Sequence, residues 1–163
     1  MKKILYLHGL ESSNVGDKVD FLKENAIVIA PAIDYSKPSL EEELLYIVEK
    51  FSPDLIIGSS MGGYVGMMLA NRYEIDCVVF NPAIHSRPME PALKSLQYDD
   101  QKHGFNPVVI LGIEDDVIDP NVSKEIFDGV FEHEIIEVEN MGHRVPFDVF
   151  VNIYNICIND NEL

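Results

Sequence analysis

Short apolar runs alternate along this chain with amphipathic stretches. Ile4–Leu7 (ILYL), Ala26–Ala30 (AIVIA), Leu55–Ile57 (LII), Asp76–Phe80 (DCVVF), Pro107–Leu111 (PVVIL) and Glu134–Val138 (EIIEV) are the length of strands. Most are continuously apolar rather than alternating, the pattern of strands covered on both faces. Between them, Asp17–Glu24, Leu40–Phe51, Met61–Arg72 and a stretch from Pro120 to Asp128 fit helices. In the second of these, Leu40, Leu44, Ile47, Val48 and Phe51 share one helical face, and Ser39 with Glu42 makes the capping-box pattern S-x-x-E. Asp119-Pro120 pairs a helix-capping aspartate with a proline at the first helical position. The run Pro146–Ile158 fits two periods: Phe147, Val149, Val151 and Ile153 alternate, while Phe147, Phe150, Val151 and Tyr154 mark a helix face. Helix is the reading taken, because Pro146 can start one and the order of elements calls for one.

Strands that alternate with helices imply a parallel sheet flanked on both faces. The expectation is therefore a three-layer α/β sandwich, one domain over residues 1–163, with a mostly parallel sheet of about six strands. One long segment, Pro82–Asn106, has no clear element. It carries Ile84, Met89, Leu93, Leu96, Tyr98 and Phe105, and Leu93 and Leu96 are spaced as on a short helix. Two readings stand: a partial lid whose apolar side chains form a pocket, or a helix packed on the flank of the sheet.

The third apolar run ends in Gly58-Ser59-Ser60-Met61-Gly62-Gly63. Glycine costs about 0.5–1 kcal/mol in a helix relative to alanine, so a cluster at a helix start calls for a reason. G-x-S-x-G between a strand and a helix is the nucleophile elbow, a tight turn that holds its serine, here Ser60, at the strand's C-terminal edge. A helix N-terminus beneath it favours developing negative charge. Gly63 and Gly66 are expected to let the helix lie close to the sheet. No Gly-Lys-Ser/Thr follows, so this is not a Walker loop.

A serine nucleophile needs a base and an acid that orients it, in the chain order Ser, Asp/Glu, His for this architecture. His143 is the histidine on a loop beyond the last strand. His133 precedes that strand, at the opposite edge, and reads as a solvated surface residue. His85 and His103 lie in or at the end of the long segment, where they can line a pocket. The acid falls on the loop Gly112–Asp119, which holds Glu114, Asp115, Asp116 and Asp119. The register favours Asp115, with Asp116 the near competitor and Asp119 the helix cap. Two N–H groups should bind the oxyanion: that of Met61, following the nucleophile, and that of Leu10 in the loop LHGLESS. Gly9 gives that loop room to turn, and His8 is read as holding it by hydrogen bonds.

With YLHGLESS, GSSMGGYVG, NPAI, GIEDDVID and MGHR in this order, the chain resembles the small α/β-hydrolase family of YqiA/YcfP-type bacterial esterases over nearly its whole length. The resemblance implies a compact α/β-hydrolase fold and hydrolysis of carboxylic esters or acyl thioesters. It implies Ser60, Asp115 and His143 as the triad and places Asn81, Pro82 and Ala83 at the mouth of the site. Gly9, Asn81 and Pro82 are the expected substrate-binding positions. Leu10 stands where a phenylalanine is frequent, a departure that bears on the acceptor pocket. Neither a cofactor nor a metal is expected. The rivals are a binding protein that kept the fold without turnover, and an acyltransferase or perhydrolase using the same triad.

Charge narrows the partners. The formal net charge is −16 and 47% of residues are hydrophobic, which suits a folded chain and argues against nucleic acid and anionic membrane surfaces. The apolar stretch after Lys2-Lys3 is short for a signal peptide, and no run reaches the length of a spanning helix, so a cytoplasmic protein acting on a small molecule is expected. Cys77 and Cys157 stand in separate apolar runs and read as buried free thiols.

Overall fold

The structure, a computed structural model, describes residues 1–130 and 133–159; the expected domain span of 1–163 reaches outside them at 131–132 and 160–163. Six strands form one sheet: β1 (Lys3–Leu7), β2 (Ile27–Ile29), β3 (Leu55–Ser59), β4 (Asp76–Phe80), β5 (Pro107–Gly112) and β6 (Glu134–Val138). Their order is β2-β1-β3-β4-β5-β6, and every neighbouring pair is parallel. The helices are α1 (Asp17–Asn25), α2 (Leu40–Phe51), α3 (Met61–Tyr73), α4 (Pro120–Val130) and α5 (Phe147–Tyr154), and α5 runs on into a π-helical turn over Asn155–Asn159.

Side-chain alternation divides the interior into two cores. Leu5, Leu7, Ile56, Cys77, Val79, Val109 and Leu111 face one way and pack with Leu44, Val48, Val65, Leu69 and Phe127 of α2, α3 and α4. Ile4, Tyr6, Leu55, Ile57, Val78, Phe80 and Ile110 face the other way, onto Val19 and Leu22 of α1 and Phe150 and Ile153 of α5. The assignment of helices to faces follows from handedness. A parallel crossover is right-handed, so connections that step toward β6 lie on one face, and the β1-to-β2 connection, which steps the other way, lies on the opposite face. The chain therefore leaves β1 and β3 toward opposite faces, and a crevice opens between their C-terminal ends.

Several local expectations need correction. Ser39 does not close a capping box with Glu42: it has no side-chain bond to the helix backbone, and its hydroxyl donates to Glu43 Oε1 at 2.8 Å. Glu43 is held in turn by Lys37 at 2.6 Å, so the ion pair takes the place of the box. In α5 the buried residues are Phe150, Ile153 and Tyr154, while Phe147 is exposed. Cys77 is buried, but Cys157 is only partly so; burial pushes its thiol up to about 11. His133 is not a solvated surface residue. Its side chain is 9% exposed, 3.4 Å from Asp128 and beside the Phe127 ring.

The segment 82–106 is neither a flank helix nor a lid made of Leu93 and Leu96. It has no helix, and it covers the α2–α3 side of the sheet as irregular chain. Leu96 and Phe105 are buried in that core, and Leu93 packs against it. Polar anchors fix its backbone: Glu41 accepts from the N–H groups of Ser95 and Leu96, and Asn71 both donates to the Asp99 carbonyl and accepts from its N–H. A segment whose backbone groups are satisfied by buried or helix-borne side chains needs no regular structure of its own. Leu96→Ala should cost about 2–5 kcal/mol, read as a lower urea midpoint at unchanged slope. An unchanged midpoint would contradict this placement.

Candidate active site

The turn from β3 into α3 is built on two contacts that exclude side chains. A Cβ on Gly62 would lie 2.1 Å from the Leu7 carbonyl oxygen and 2.5 Å from that of His8. A Cβ on Gly58 would lie 2.3 Å from the Gly62 carbonyl oxygen. The start of α3 is thereby pressed against the end of β1. A Cβ on Gly66 would lie 3.1 Å from Ile56 Cγ2, continuing the approach, whereas one on Gly63 would first meet Pro82 at 3.2 Å. Ser60, at the bend, has φ 53° and ψ −116°, a conformation that costs of order 1–3 kcal/mol in a residue with a side chain. Its backbone is tied down to offset this. Its N–H donates to the Phe80 carbonyl at 2.9 Å, and its carbonyl accepts from the N–H groups of Tyr64 and Ala83, each at 3.0 Å.

Ser60 Oγ lies 3.0 Å from His143 Nε2, and His143 Nδ1 lies 2.9 Å from Asp115 Oδ2. An ionised carboxylate only accepts, so Nδ1 carries the proton and Nε2 is left to accept from the serine hydroxyl. Asp115 is buried and fixed at its other oxygen, which accepts from the N–H groups of Val117 at 2.8 Å and Ile118 at 2.9 Å. Asp116 is exposed. Asp119 accepts from Asn121 N–H at the start of α4, as a helix cap. Of the remaining histidines, His85 meets the Asp119 carbonyl, and His103 and His133 line a separate cavity of about 610 Å³ at the N-terminal edge of the sheet.

The crevice at the C-terminal edge is a cavity of about 520 Å³ lined by Gly9, Leu10, Ser60, Met61, Ala83, Pro88, Val117, Ile118 and His143, among others. The β1 loop is held from behind. His8 Nε2 accepts from Ile33 N–H at 3.0 Å, which leaves Nδ1 to donate to the Gly9 carbonyl at 2.7 Å, and the Tyr35 hydroxyl donates to the His8 carbonyl. A Cβ on Gly9 would rest 3.4 Å from Ser60 Cβ, so glycine keeps the floor beside the serine open. The N–H groups of Leu10 and Met61 have no acceptor among the described residues.

Asn81 and Pro82 do not line this cavity, contrary to expectation. Pro82 is buried against Gly63. Asn81 is 1% exposed, and its side chain is spent on the fold: Oδ1 accepts from Gly112 N–H at 2.8 Å, and Nδ2 donates to the carbonyls of Gly142 and His143, each at 3.0 Å. It thus ties the end of β4 to the end of β5 and to the loop that carries the imidazole. Ala83, Ser86 and Pro88 form the wall instead. Sequence reasoning also passed over Lys18 and Arg144, which line the cavity; proximity of Arg144 to His143 in the chain was the available signal.

This sheet, with its order, its elbow and its crevice, is the α/β-hydrolase fold. Solved structures share it. A putative hydrolase of the α/β superfamily from Xanthomonas campestris pv. campestris matches with a TM-score of 0.69 at 17% identity, over 96% of this chain and 99% of that one. Mouse α/β hydrolase domain-containing protein 10 matches at 0.70 and 14% identity, over 97% and 88%. A thermophilic esterase from Thermogutta terrifontis matches at 0.68 and 13%, over 96% and 89%. The chain belongs to the uncharacterised protein family UPF0227, whose model matches residues 3–91. That stretch includes Ser60 and ends before Asp115 and His143.

Asn81→Ala leaves the buried Gly112 N–H without its acceptor and should cost about 1–3 kcal/mol of stability. It also frees the His143 loop, so the His143 ring resonances should broaden or shift in NMR spectra of the folded variant. Stability and ring resonances like those of the parent would show that the three bonds do not hold the loop.

Proposed function

We propose that this chain is a serine hydrolase that cleaves a small carboxylic ester or acyl thioester through an acyl-enzyme. The observation that carries the reading is the Ser60–His143–Asp115 relay, with contacts of 3.0 and 2.9 Å, at a strained elbow that opens into a cavity. The esterase named among the solved structures of the same fold is consistent with it.

In this reading Ser60 Oγ attacks the substrate carbonyl carbon while His143 Nε2 takes its proton. Asp115, held by the two loop N–H groups, keeps the other ring nitrogen protonated and stabilises the imidazolium that forms. The carbonyl oxygen becomes an oxyanion and meets the N–H groups of Leu10 and Met61, which have no competing acceptor to leave. The N-terminus of α3 adds a favourable potential at the same point. The imidazolium then gives its proton to the departing alkoxide or thiolate as the carbon–oxygen or carbon–sulfur bond breaks. A water, deprotonated by the same nitrogen, attacks the acyl-serine, and collapse of the second tetrahedral intermediate releases the acid and restores Ser60.

Ser60→Ala should lower kcat by about a million-fold and abolish covalent labelling by a fluorophosphonate. Wild-type turnover in that variant, or a folded parent protein that fails to label, overturns the reading. Asp115→Asn should cut kcat by about 10⁴, because the amide favours the wrong imidazole tautomer, while Asp116→Asn should have a far smaller effect. The reverse ranking in steady-state assays would move the acid by one residue.

A further inference from the structure

The cavity around Ser60 inverts the charge balance of the chain. The protein has 12 Lys and Arg against 28 Asp and Glu, yet the charged lining of the cavity is Lys18, Arg144 and Glu11, two cations to one carboxylate. Lys18 comes from α1 and is only partly exposed. Its ammonium donates to the Val145 carbonyl and lies over the Phe150 ring, 5.8 Å from the centroid. Neither contact supplies a negative charge, and Lys18 has no ion pair among the described residues. Burial pushes its pKa below the ordinary lysine value. Arg144 is exposed on the rim and has no hydrogen-bond or ion-pair partner among the described residues. Arg87 is used quite differently: its guanidinium is paired with Glu90 and bonded to the carbonyls of Ala83 and Ile84.

A guanidinium offers a planar fork of donors that fits a carboxylate edge-on, and a lysine ammonium adds a point charge with donors to spare. A net charge of −16 opposes the approach of any anion, so cations without an ion-pair partner in the lining of the Ser60 cavity have a local purpose. Resting on the hydrolase reading above, we propose that Lys18 and Arg144 determine specificity by seating a free carboxylate of the substrate, so that the preferred substrates are hemiesters or hemithioesters of short dicarboxylic acids.

The test compares p-nitrophenyl hydrogen glutarate with p-nitrophenyl valerate, which differ mainly in the terminal carboxylate, at low and high salt. The glutarate ester should have a kcat/KM higher by about tenfold, as expected for a charge-assisted contact, and salt should erode the advantage. Arg144→Gln and Lys18→Met should each lower the glutarate-to-valerate ratio of kcat/KM several-fold, chiefly through KM, with Arg144→Lys intermediate. Because the ratio is taken within each variant, damage to the His143 loop moves both substrates and cancels. No preference for the anionic ester, or a ratio that the substitutions leave in place, overturns the proposal. Titration of the unlabelled protein with glutarate separates this from the hydrolase reading. Failure to hydrolyse either ester, with no labelling of Ser60, defeats the hydrolase reading. Glutarate binding that weakens in both Arg144→Gln and Lys18→Met would still support the carboxylate seat, and glutarate binding indifferent to them would overturn it.

Discussion

The contact on which the site depends is the one between the start of α3 and the end of β1. Gly62 sits where any Cβ would overlap the Leu7 and His8 carbonyl oxygens, and Gly58 sits where a Cβ would overlap Gly62 itself. This closeness forces the chain to bend within a residue after β3, and the bend puts Ser60 at positive φ. The strain is carried because three backbone hydrogen bonds, to Phe80, Tyr64 and Ala83, over-determine the turn. The same approach brings the His8–Leu10 loop alongside the serine. One steric constraint therefore produces both halves of the crevice: the Ser60 hydroxyl after β3 and the wall that carries the Leu10 N–H after β1.

A second constraint joins the other half of the site to the first. Phe80 receives the Ser60 N–H, and the next residue, Asn81, binds Ile110 through its backbone and Gly112, Gly142 and His143 through its side chain. The end of β4 is thus the point at which the serine turn, the Asp115 loop and the His143 loop are referenced to one another. Asn81 is itself at φ 42°, a region that asparagine tolerates better than most residues. Gly112 reinforces the junction, since a Cβ there would lie 2.3 Å from the Met141 carbonyl oxygen. Relay distances of 2.9 and 3.0 Å across segments 28 and 83 residues apart in sequence follow from this bracing.

The face that carries α2 and α3 shows a different economy. Between β4 and β5 a helix is replaced by irregular chain, and its apolar residues fill the place a helix would occupy. Only the first part of that chain, Ala83 to Pro88, reaches the crevice. The site is therefore walled by short loops, with Lys18 and Arg144 among the residues that line it.

The sequence alone determined the strands, the helices, their parallel arrangement and the elbow, because these rest on local periodicity and on glycines whose spacing has few other uses. That Ser60, Asp115 and His143 lie at one edge was legible too: each follows a recognisable strand, and parallel strands place all such loops at one edge, while register alone favoured Asp115 over Asp116. Tertiary structure decided what depends on partners distant in the chain. Ser39 binds Glu43 rather than closing a box, because Lys37 already holds that carboxylate in place. His133 packs beside the Phe127 ring, Asn81 turns inward to bridge three loops, and Leu96 enters the core through anchors on Glu41 and Asn71, none of which any local pattern encodes. Periodicity records which face of an element is apolar. It does not record which buried polar group from elsewhere will satisfy an irregular backbone, and that choice is made only when the packed chain must pair every donor and acceptor it removes from water.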